Sequence, residues 1–91
     1  MKIYSFLRRG EKNDVPLQSL VYATGLSSRA VRSAIRRERL NGALILSGET
    51  GYYLADNAEE IENFVRSMQG RAEEIYHVAD AVEQAGIGVF L

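Results

Sequence analysis

The arginines of this 91-residue chain are unevenly placed, because five of its eleven Lys and Arg residues fall within residues 26–40. An arginine side chain stays charged and carries a planar fork of donors, which suits bidentate hydrogen bonds to guanine edges and to phosphate groups. Arginines that share one face of a helix could therefore bind nucleic acid. The five are Arg29, Arg32, Arg36, Arg37 and Arg39.

A helix over residues 27–40 would give these arginines a common face. Ser27 can cap the helix, because its hydroxyl oxygen can accept a hydrogen bond from an unpaired amide of the first turn. At about 100° per residue, the helix has a small apolar face and an opposite polar face, which we call the Arg face. The apolar face holds Ala30, Val31, Ala34 and Ile35, and the Arg face holds Arg29, Arg32, Ser33 and Arg36. Such a helix fits the major groove of DNA.

The side chains of this helix have different predicted roles. Arg37 and Arg39 flank the Arg face and are expected to touch phosphates or acids of the protein itself. The alternative is that all of these arginines form an ordinary solvated surface. The residues expected at base edges are Ser28, Arg29, Arg32, Ser33 and Arg36.

Glu38 falls near the centre of the apolar face, where Leu would be expected. An unpaired buried carboxylate would cost several kcal/mol. Either the helix frays at this point or Glu38 pairs with an Arg. We predict the pairing, at a half-exposed edge of the helix.

Two further helices are predicted before the Arg-rich one. The first spans about residues 1–9, and the second runs over residues 17–24, where apolar residues recur at helical spacing. Between them, Val15 is expected in a strand of one or two residues. Gly25 supplies a tight turn with positive φ, and Leu26 is expected to fill the core beneath that turn.

A β-hairpin is predicted after the Arg-rich helix, from apolar runs at residues 43–46 and 52–54 around a turn bounded by glycines. The order of helix, helix, turn, helix and hairpin is that of a winged helix-turn-helix. At the tip of this wing Glu49 would repel phosphate, whereas Ser47 and Thr50 could donate hydrogen bonds to it. We expect at most a minor contribution from the wing to DNA binding.

A long helix is predicted from a cap at residues 56–57 to about Ala85. Gly70 could kink the helix or divide it into two, and residues 86–91 would form an apolar tail with two flexible glycines. Apolar residues with alternating spacings of four and three define a heptad seam. The seam comprises Ile61, Val65, Met68, Ala72, Ile75, Ala79 and Val82.

The heptad seam has two interpretations. It could pack back on its own domain, or it could pair with the same helix of another chain. A chain of this length has little core to spare for covering so long a helix. We therefore predict a homodimer through this helix.

Charge divides the chain into halves, although its net charge is only −1. Residues 1–48 carry nine basic and three acidic side chains, whereas residues 49–91 carry two basic and nine acidic ones. Such an asymmetry favours a separate basic surface for nucleic acid. The absence of Cys and of any long apolar run leads us to expect a cytoplasmic protein without a membrane span.

Catalytic and metal-binding patterns are missing from the sequence. There is a single His, His77, and no Ser-His-Asp set, Walker loop or GxGxxG motif occurs. We therefore expect no enzymatic activity, no metal and no cofactor.

Several stretches resemble small winged-helix proteins carried by prophages and mobile elements of Gram-positive bacteria. They lie within about residues 15–83: the segment from Gly25 to Ile35, Leu40-Asn41-Gly42, Gly51-Tyr52-Tyr53-Leu54-Ala55-Asp56-Asn57, and Phe64 to Met68. The resemblance implies DNA binding and regulation. Glu38, in place of Leu, and Pro16, in place of a Ser or Thr cap, depart from that pattern.

Together these patterns predict a mainly α-helical protein with a small β-hairpin. Residues 1–56 would form a winged helix-turn-helix domain, and residues 57–91 a dimerisation helix with an apolar tail. The expected function is sequence-specific binding of double-stranded DNA by a dimeric, repressor-like transcriptional regulator. The alternative is a protein-binding module, such as a phage-encoded inhibitor or adaptor of a host protein complex.

Overall fold

The computed structural model describes residues 2–90 and is mainly helical, with a two-stranded antiparallel hairpin and a long C-terminal helix. No helix in that range is both long and apolar enough to cross a membrane. The elements in chain order are two short 3-10 helices, Ile3–Phe6 and Glu11–Asn13, then α1 (Leu17–Thr24), α2 (Ser28–Leu40), β1 (Ile45–Ser47), β2 (Tyr52–Leu54) and α3 (Ala58–Phe90).

The turn between α1 and α2 has the predicted glycine geometry. Gly25 has a φ of 73°, and its amide donates to the Val21 carbonyl at 2.9 Å. The Thr24 hydroxyl accepts from the Leu26 amide at 3.2 Å and donates to the Leu20 carbonyl at 2.7 Å. The prediction that Leu26 fills the core is wrong, because its side chain is 44% exposed. Thr24 holds the Leu26 backbone in the turn, and Leu20 is the residue that is fully buried.

The boundaries of α2 confirm the predicted helix. The Ser27 hydroxyl accepts from the Ala30 amide at 3.1 Å, as expected for an N-cap. At the other end Asn41 caps the helix, and Gly42 takes a φ of 98°. A left-handed glycine after the last turn is a common way to end a helix.

The predicted helix over residues 1–9 is wrong for residues 2–9, where only Ile3–Phe6 is helical, as a 3-10 helix, and Leu7 is extended. Met1 lies outside the described residues. The residues after Leu7 pair with β2 instead. The Leu54 amide donates to the Arg8 carbonyl at 2.7 Å, and the Gly10 amide donates to the Leu54 carbonyl at 2.9 Å. Backbone groups that pair with a strand edge cannot also form a helix, so tertiary contact overrides the local pattern.

Val15 forms the predicted one-residue strand, as an antiparallel bridge with Tyr52. The two residues exchange amide-to-carbonyl hydrogen bonds of 2.7 and 2.9 Å. Gly51 lies so close to this bridge that a Cβ there would be 2.5 Å from the Val15 carbonyl oxygen. The bridge therefore requires glycine at position 51.

The hairpin separates two apolar layers. In its register Ile45 pairs with Leu54, and Leu46 pairs with Tyr53. Ile45 belongs to the main core, whereas Leu46 and Tyr53 are buried outside that cluster. Contacts with β1 place the start of α3 against the hairpin. The buried residues of the main core are Ile3, Leu7, Leu20, Val31, Ala34, Ile35 and Ile45.

Glu38 is buried, with 4% of its surface exposed, and it pairs with backbone rather than with an Arg. Its carboxylate accepts from the Ile3 amide at 2.8 Å and from the Tyr4 amide at 2.9 Å. The predicted Arg partner and half-exposed edge are therefore wrong. The first amides of a helix have no partner within it, and Glu38 supplies one for the first 3-10 helix from a distant part of the sequence.

The long helix α3 begins at the predicted cap. The Asn57 side-chain oxygen accepts from the Glu60 amide at 2.9 Å. The Glu60 carboxylate in turn accepts from the amides of Asp56, at 2.8 Å, and Glu11, at 3.1 Å. These bonds attach the first turn of α3 to the loop that precedes it and to the second 3-10 helix.

α3 runs without interruption through Gly70, so the helix is not divided there. The prediction of an end near Ala85, followed by a flexible tail, is wrong for residues 86–90, which are helical to Phe90. Leu91, the last residue of the predicted tail, lies outside the described residues. At 1.5 Å per residue this 33-residue helix is about 50 Å long.

We expect Glu38→Ala to lower the free energy of unfolding by about 3 kcal/mol, because it leaves two amides without an acceptor. Glu38→Gln keeps one oxygen and should lose less. Urea denaturation measures the change. Glu49→Ala, at an exposed position of the hairpin tip, is the control and should stay within about 0.5 kcal/mol of the parent. Equal losses in Glu38→Ala and Glu49→Ala would contradict the role of Glu38.

Candidate functional site

The Arg face lies on the surface of α2, opposite a buried face. All four of its side chains are exposed, and so is Arg37. Ser28, in the first turn, is half-buried. The opposite side of the helix is buried through Val31, Ala34, Ile35 and Glu38. The helix therefore packs on the core through its apolar face, as the helical periodicity of the sequence predicted, and exposes its arginines to solvent.

The guanidinium groups of the Arg face have no hydrogen-bond partner within the part of the chain that the structure describes. Guanidinium hydrogen bonds there come only from Arg39 and Arg66. Several positive charges on one helix, with no carboxylate bound to them, create a positive potential that attracts anions. The free donors of Arg29, Arg32 and Arg36 could then bind an external partner.

Arg39 is used differently, since it connects α2 to both the hairpin and α3. Its Nε donates to the Ile45 carbonyl at 2.7 Å, and its Nη2 donates to the Ser47 hydroxyl at 3.3 Å. Its guanidinium carbon lies 5.0 Å from the centre of the Phe64 ring, within the range of a cation–π contact. Arg39 was expected to contact either a phosphate or an acid of the protein itself. Neither of its hydrogen-bond acceptors is an acid, so the second expectation is wrong.

Burial lowers the pKa of Arg39, and the nearby charge of Arg71 on α3 lowers it further, against an opposing effect of Tyr52. The guanidinium group stays charged at any physiological pH, so its carbonyl and hydroxyl acceptors compensate for the lost water. Arg39 therefore positions the hairpin and α3 relative to α2. The sequence offered no signal for this role, because it depends on contacts with β1 and α3.

The hydroxyl groups of the predicted wing residues are engaged within the protein. Ser47 accepts from Arg39, and Thr50 donates to a carboxylate oxygen of Asp14. The turn between them is closed by the Gly48 amide, which donates to the Gly51 carbonyl at 3.0 Å. Thr50 therefore has no free proton to donate to a phosphate while it is bonded to Asp14.

An acidic cleft of about 770 Å³ lies between the hairpin, the second 3-10 helix and α3. Its lining includes four carboxylates, those of Glu11, Asp14, Glu49 and Glu60. The Tyr53 hydroxyl donates to Glu11 at 3.4 Å, and burial raises the pKa of Tyr53, as do the charges of Glu11 and Glu60. This side of the hairpin repels phosphate. The sequence analysis predicted repulsion of phosphate at the wing from Glu49 alone.

The heptad seam occupies one side of α3 and becomes more exposed along the helix. Ile61 is half-buried near the hairpin, whereas Val65 and Met68 are 43% and 42% exposed. Further along, Ile75 and Val82 are 69% and 67% exposed. The remaining seam residues, Ala72 and Ala79, are exposed as well. Only the start of the seam is covered by the chain's own domain.

Within residues 2–90 no group of three or more His, Asp or Glu side chains could hold a metal ion. Comparison of the chain with protein-family models, with curated proteins and with solved structures finds no match. The Arg face, the acidic cleft and the exposed seam are therefore the features from which a function can be argued.

We expect Arg39→Ala to destabilise the fold by about 2 kcal/mol, because it removes two hydrogen bonds and a cation–π contact. Arg32→Ala is the matched control, since it removes the same charge from an exposed position of the same helix. Its stability should stay within about 0.5 kcal/mol of the parent. Thermal unfolding of both variants tests this expectation, which fails if Arg32→Ala is the less stable of the two.

Proposed function

We propose that this chain is a winged helix-turn-helix protein that binds double-stranded DNA through α2 and regulates transcription as a cytoplasmic, repressor-like dimer. The observation that carries the proposal is the Arg face. It is exposed, its guanidinium groups are unpaired within residues 2–90, and it follows a short helix and a glycine turn. Recognition helices occupy this position in the helix-turn-helix motif.

The chemistry of the Arg face suits the major groove. The groove is about 12 Å wide and admits an α-helix. Arg29, Arg32 and Arg36 could each donate two hydrogen bonds to a guanine, and Ser28 and Ser33 could bond to either base type. Arg37, beside this face, is placed to bind a phosphate group.

The remaining surface limits how the duplex can approach. The acidic cleft lies beside the hairpin, and α3 carries most of the acids of the second half of the chain. Phosphates would be repelled from both. The proposal therefore assigns most of the affinity to α2. It leaves the wing little part in DNA binding, because Thr50 donates its proton to Asp14 and the acids beside the hairpin repel phosphate.

The exposed heptad seam supports the dimer. Two chains joined along α3 would present two α2 helices related by a two-fold axis. Such dimers read half-sites that are one helical turn, or a multiple of it, apart.

A second candidate is a module that binds an acidic protein through the same face. One observation favours it: Tyr22 in α1 is 92% exposed, and Leu26, next to α2, is 44% exposed. Aromatic residues and arginine are enriched at protein interfaces. The two functions differ in whether the arginines bind duplex DNA.

We expect the purified protein to shift duplex DNA selected from random sequence, with an affinity that falls steeply as salt is raised. Arg29→Ala combined with Arg36→Ala should weaken that binding at least about 30-fold, because each bidentate contact contributes about 1–3 kcal/mol. Arg66→Ala combined with Arg71→Ala removes the same charge from α3 and is the matched control. It should bind within a few-fold of the parent.

Absence of DNA affinity in the parent protein, even at low salt, would contradict the proposal and favour the protein-binding module. Equal weakening in the two double variants would indicate a nonspecific effect of charge. Circular dichroism of all variants checks that the helices are intact.

A further inference from the structure

Residues 72–90 of α3 form a helix that the rest of the chain leaves uncovered. Every residue in this distal segment is exposed except Gly86, which is half-buried. The apolar side chains of Tyr76, Val82 and Phe90 are 78%, 67% and 86% exposed. Helices in proteins gain most of their stability by packing an apolar face, so a distal segment of this kind needs a partner.

The repeat of the distal segment matches that of the seam and extends it. Because α3 is continuous, Gly86 and Val89 carry on the alternating spacings of four and three beyond Val82. With Ile61 at position d of the heptad, the a positions are Val65, Ala72, Ala79 and Gly86, and the d positions are Met68, Ile75, Val82 and Val89. A helix with the same heptad repeat can pack against these a and d positions, and a second copy of the chain provides such a helix.

The apolar stripe of the distal segment is wider than a pair of helices needs. Tyr76 and Phe90 fall at e positions, and Val78 and Ala85 fall at g positions. Viewed down the helix axis, at about 100° per residue, the a, d, e and g positions span an apolar arc of roughly 180°, whereas a strict a/d seam is much narrower. Apolar residues at a, d and the flanking positions are typical of helices that face the core of a bundle. The opposite arc, at positions b, c and f, holds Glu73, Glu74, His77, Asp80 and Gln84, together with Ala81, Ile87 and Gly88. Glu83 is the one acid at an e position.

Two copies would leave part of this stripe exposed. Three successive a positions are small, namely Ala72, Ala79 and Gly86, so an a/d seam buries little apolar area there. Val78, which is 52% exposed in the single chain, would flank such a pair and remain in contact with water on one side. A second pair of helices packed on the first would cover it.

An anionic membrane does not fit this surface. Helices that lie on membranes carry Lys and Arg on their polar face. The distal segment has four acids and neither Lys nor Arg. In a bundle of identical helices Glu73, Glu74 and Asp80 face water on the outside, and Glu83, at an e position, lies at the edge of the interface. This charge pattern is compatible with self-association.

We propose that residues 72–90 of four copies form a four-helix bundle, which joins two dimers into a tetramer. The inference rests on the self-association proposed above and is independent of DNA binding. Oligomers of identical chains favour closed symmetry, and two dimers related by further two-fold axes form such an assembly. The tetramer would carry four Arg faces and could hold two DNA sites at once.

The test is the mass of the intact chain in solution, measured by sedimentation equilibrium. The parent should have four times the 10.2 kDa mass of one chain. Val78→Glu, at a g position, should yield dimers, and Ile75→Asp, at a d position, should yield monomers. Gln84→Glu adds the same charge on the polar arc and should remain a tetramer.

A parent of two chains, or of three, would overturn the four-helix bundle, and a parent of one chain would overturn the dimer as well. A tetrameric Val78→Glu variant would also overturn the inference, because the g positions would then lie outside the interface. DNA affinity is measured separately on the parent, so loss of the tetramer and loss of DNA binding are distinguishable outcomes.

Discussion

The buried carboxylate of Glu38 is the interaction on which the arrangement of the domain depends. It lies in the last turns of α2, and it accepts hydrogen bonds from the amides of Ile3 and Tyr4, about 35 residues earlier in the chain. A buried charge is tolerated only where such bonds replace water. Because the acceptor is on α2, the N-terminal segment is held against the same helix that carries the Arg face.

The next residue, Arg39, connects α2 to another part of the chain. It bonds to Ile45 and Ser47 of β1 and stacks on Phe64 of α3. Neighbouring side chains of opposite charge thus fix α2 between the N-terminal segment on one hand and the hairpin with α3 on the other. Glu38 and Arg39 form no hydrogen bond with each other. Arg29, Arg32 and Arg36 lie on the exposed face of α2, away from these contacts.

Charge and exposure divide the molecule into distinct surfaces. The acids gather in the cleft beside the hairpin and along α3, and most of the arginines without a side-chain hydrogen bond within residues 2–90 lie on α2. The same α3 serves two purposes, because its first turns cover the hairpin and the remaining turns extend beyond the domain. A helix of this length, built on a small core, has most of its apolar stripe uncovered by its own domain.

The sequence by itself determined the elements whose signals are local. The Ser27 cap, the left-handed Gly25, the Asn57 cap, the hairpin and the split faces of α2 all follow from residue types and their spacing, and the structure has each of them. The tertiary structure decided what depends on distant partners. Within residues 2–9 only a short 3-10 helix remains, because the segment around Arg8 pairs with Leu54, and Glu38 accepts from backbone amides in place of pairing with an Arg. Arg39 and Thr50 were likewise engaged by β1 and by Asp14. The local pattern of residues sets the propensity of a segment for helix or strand. A backbone or charged group, however, pairs with whichever partner the folded chain brings close to it. The order of residues alone does not reveal that partner.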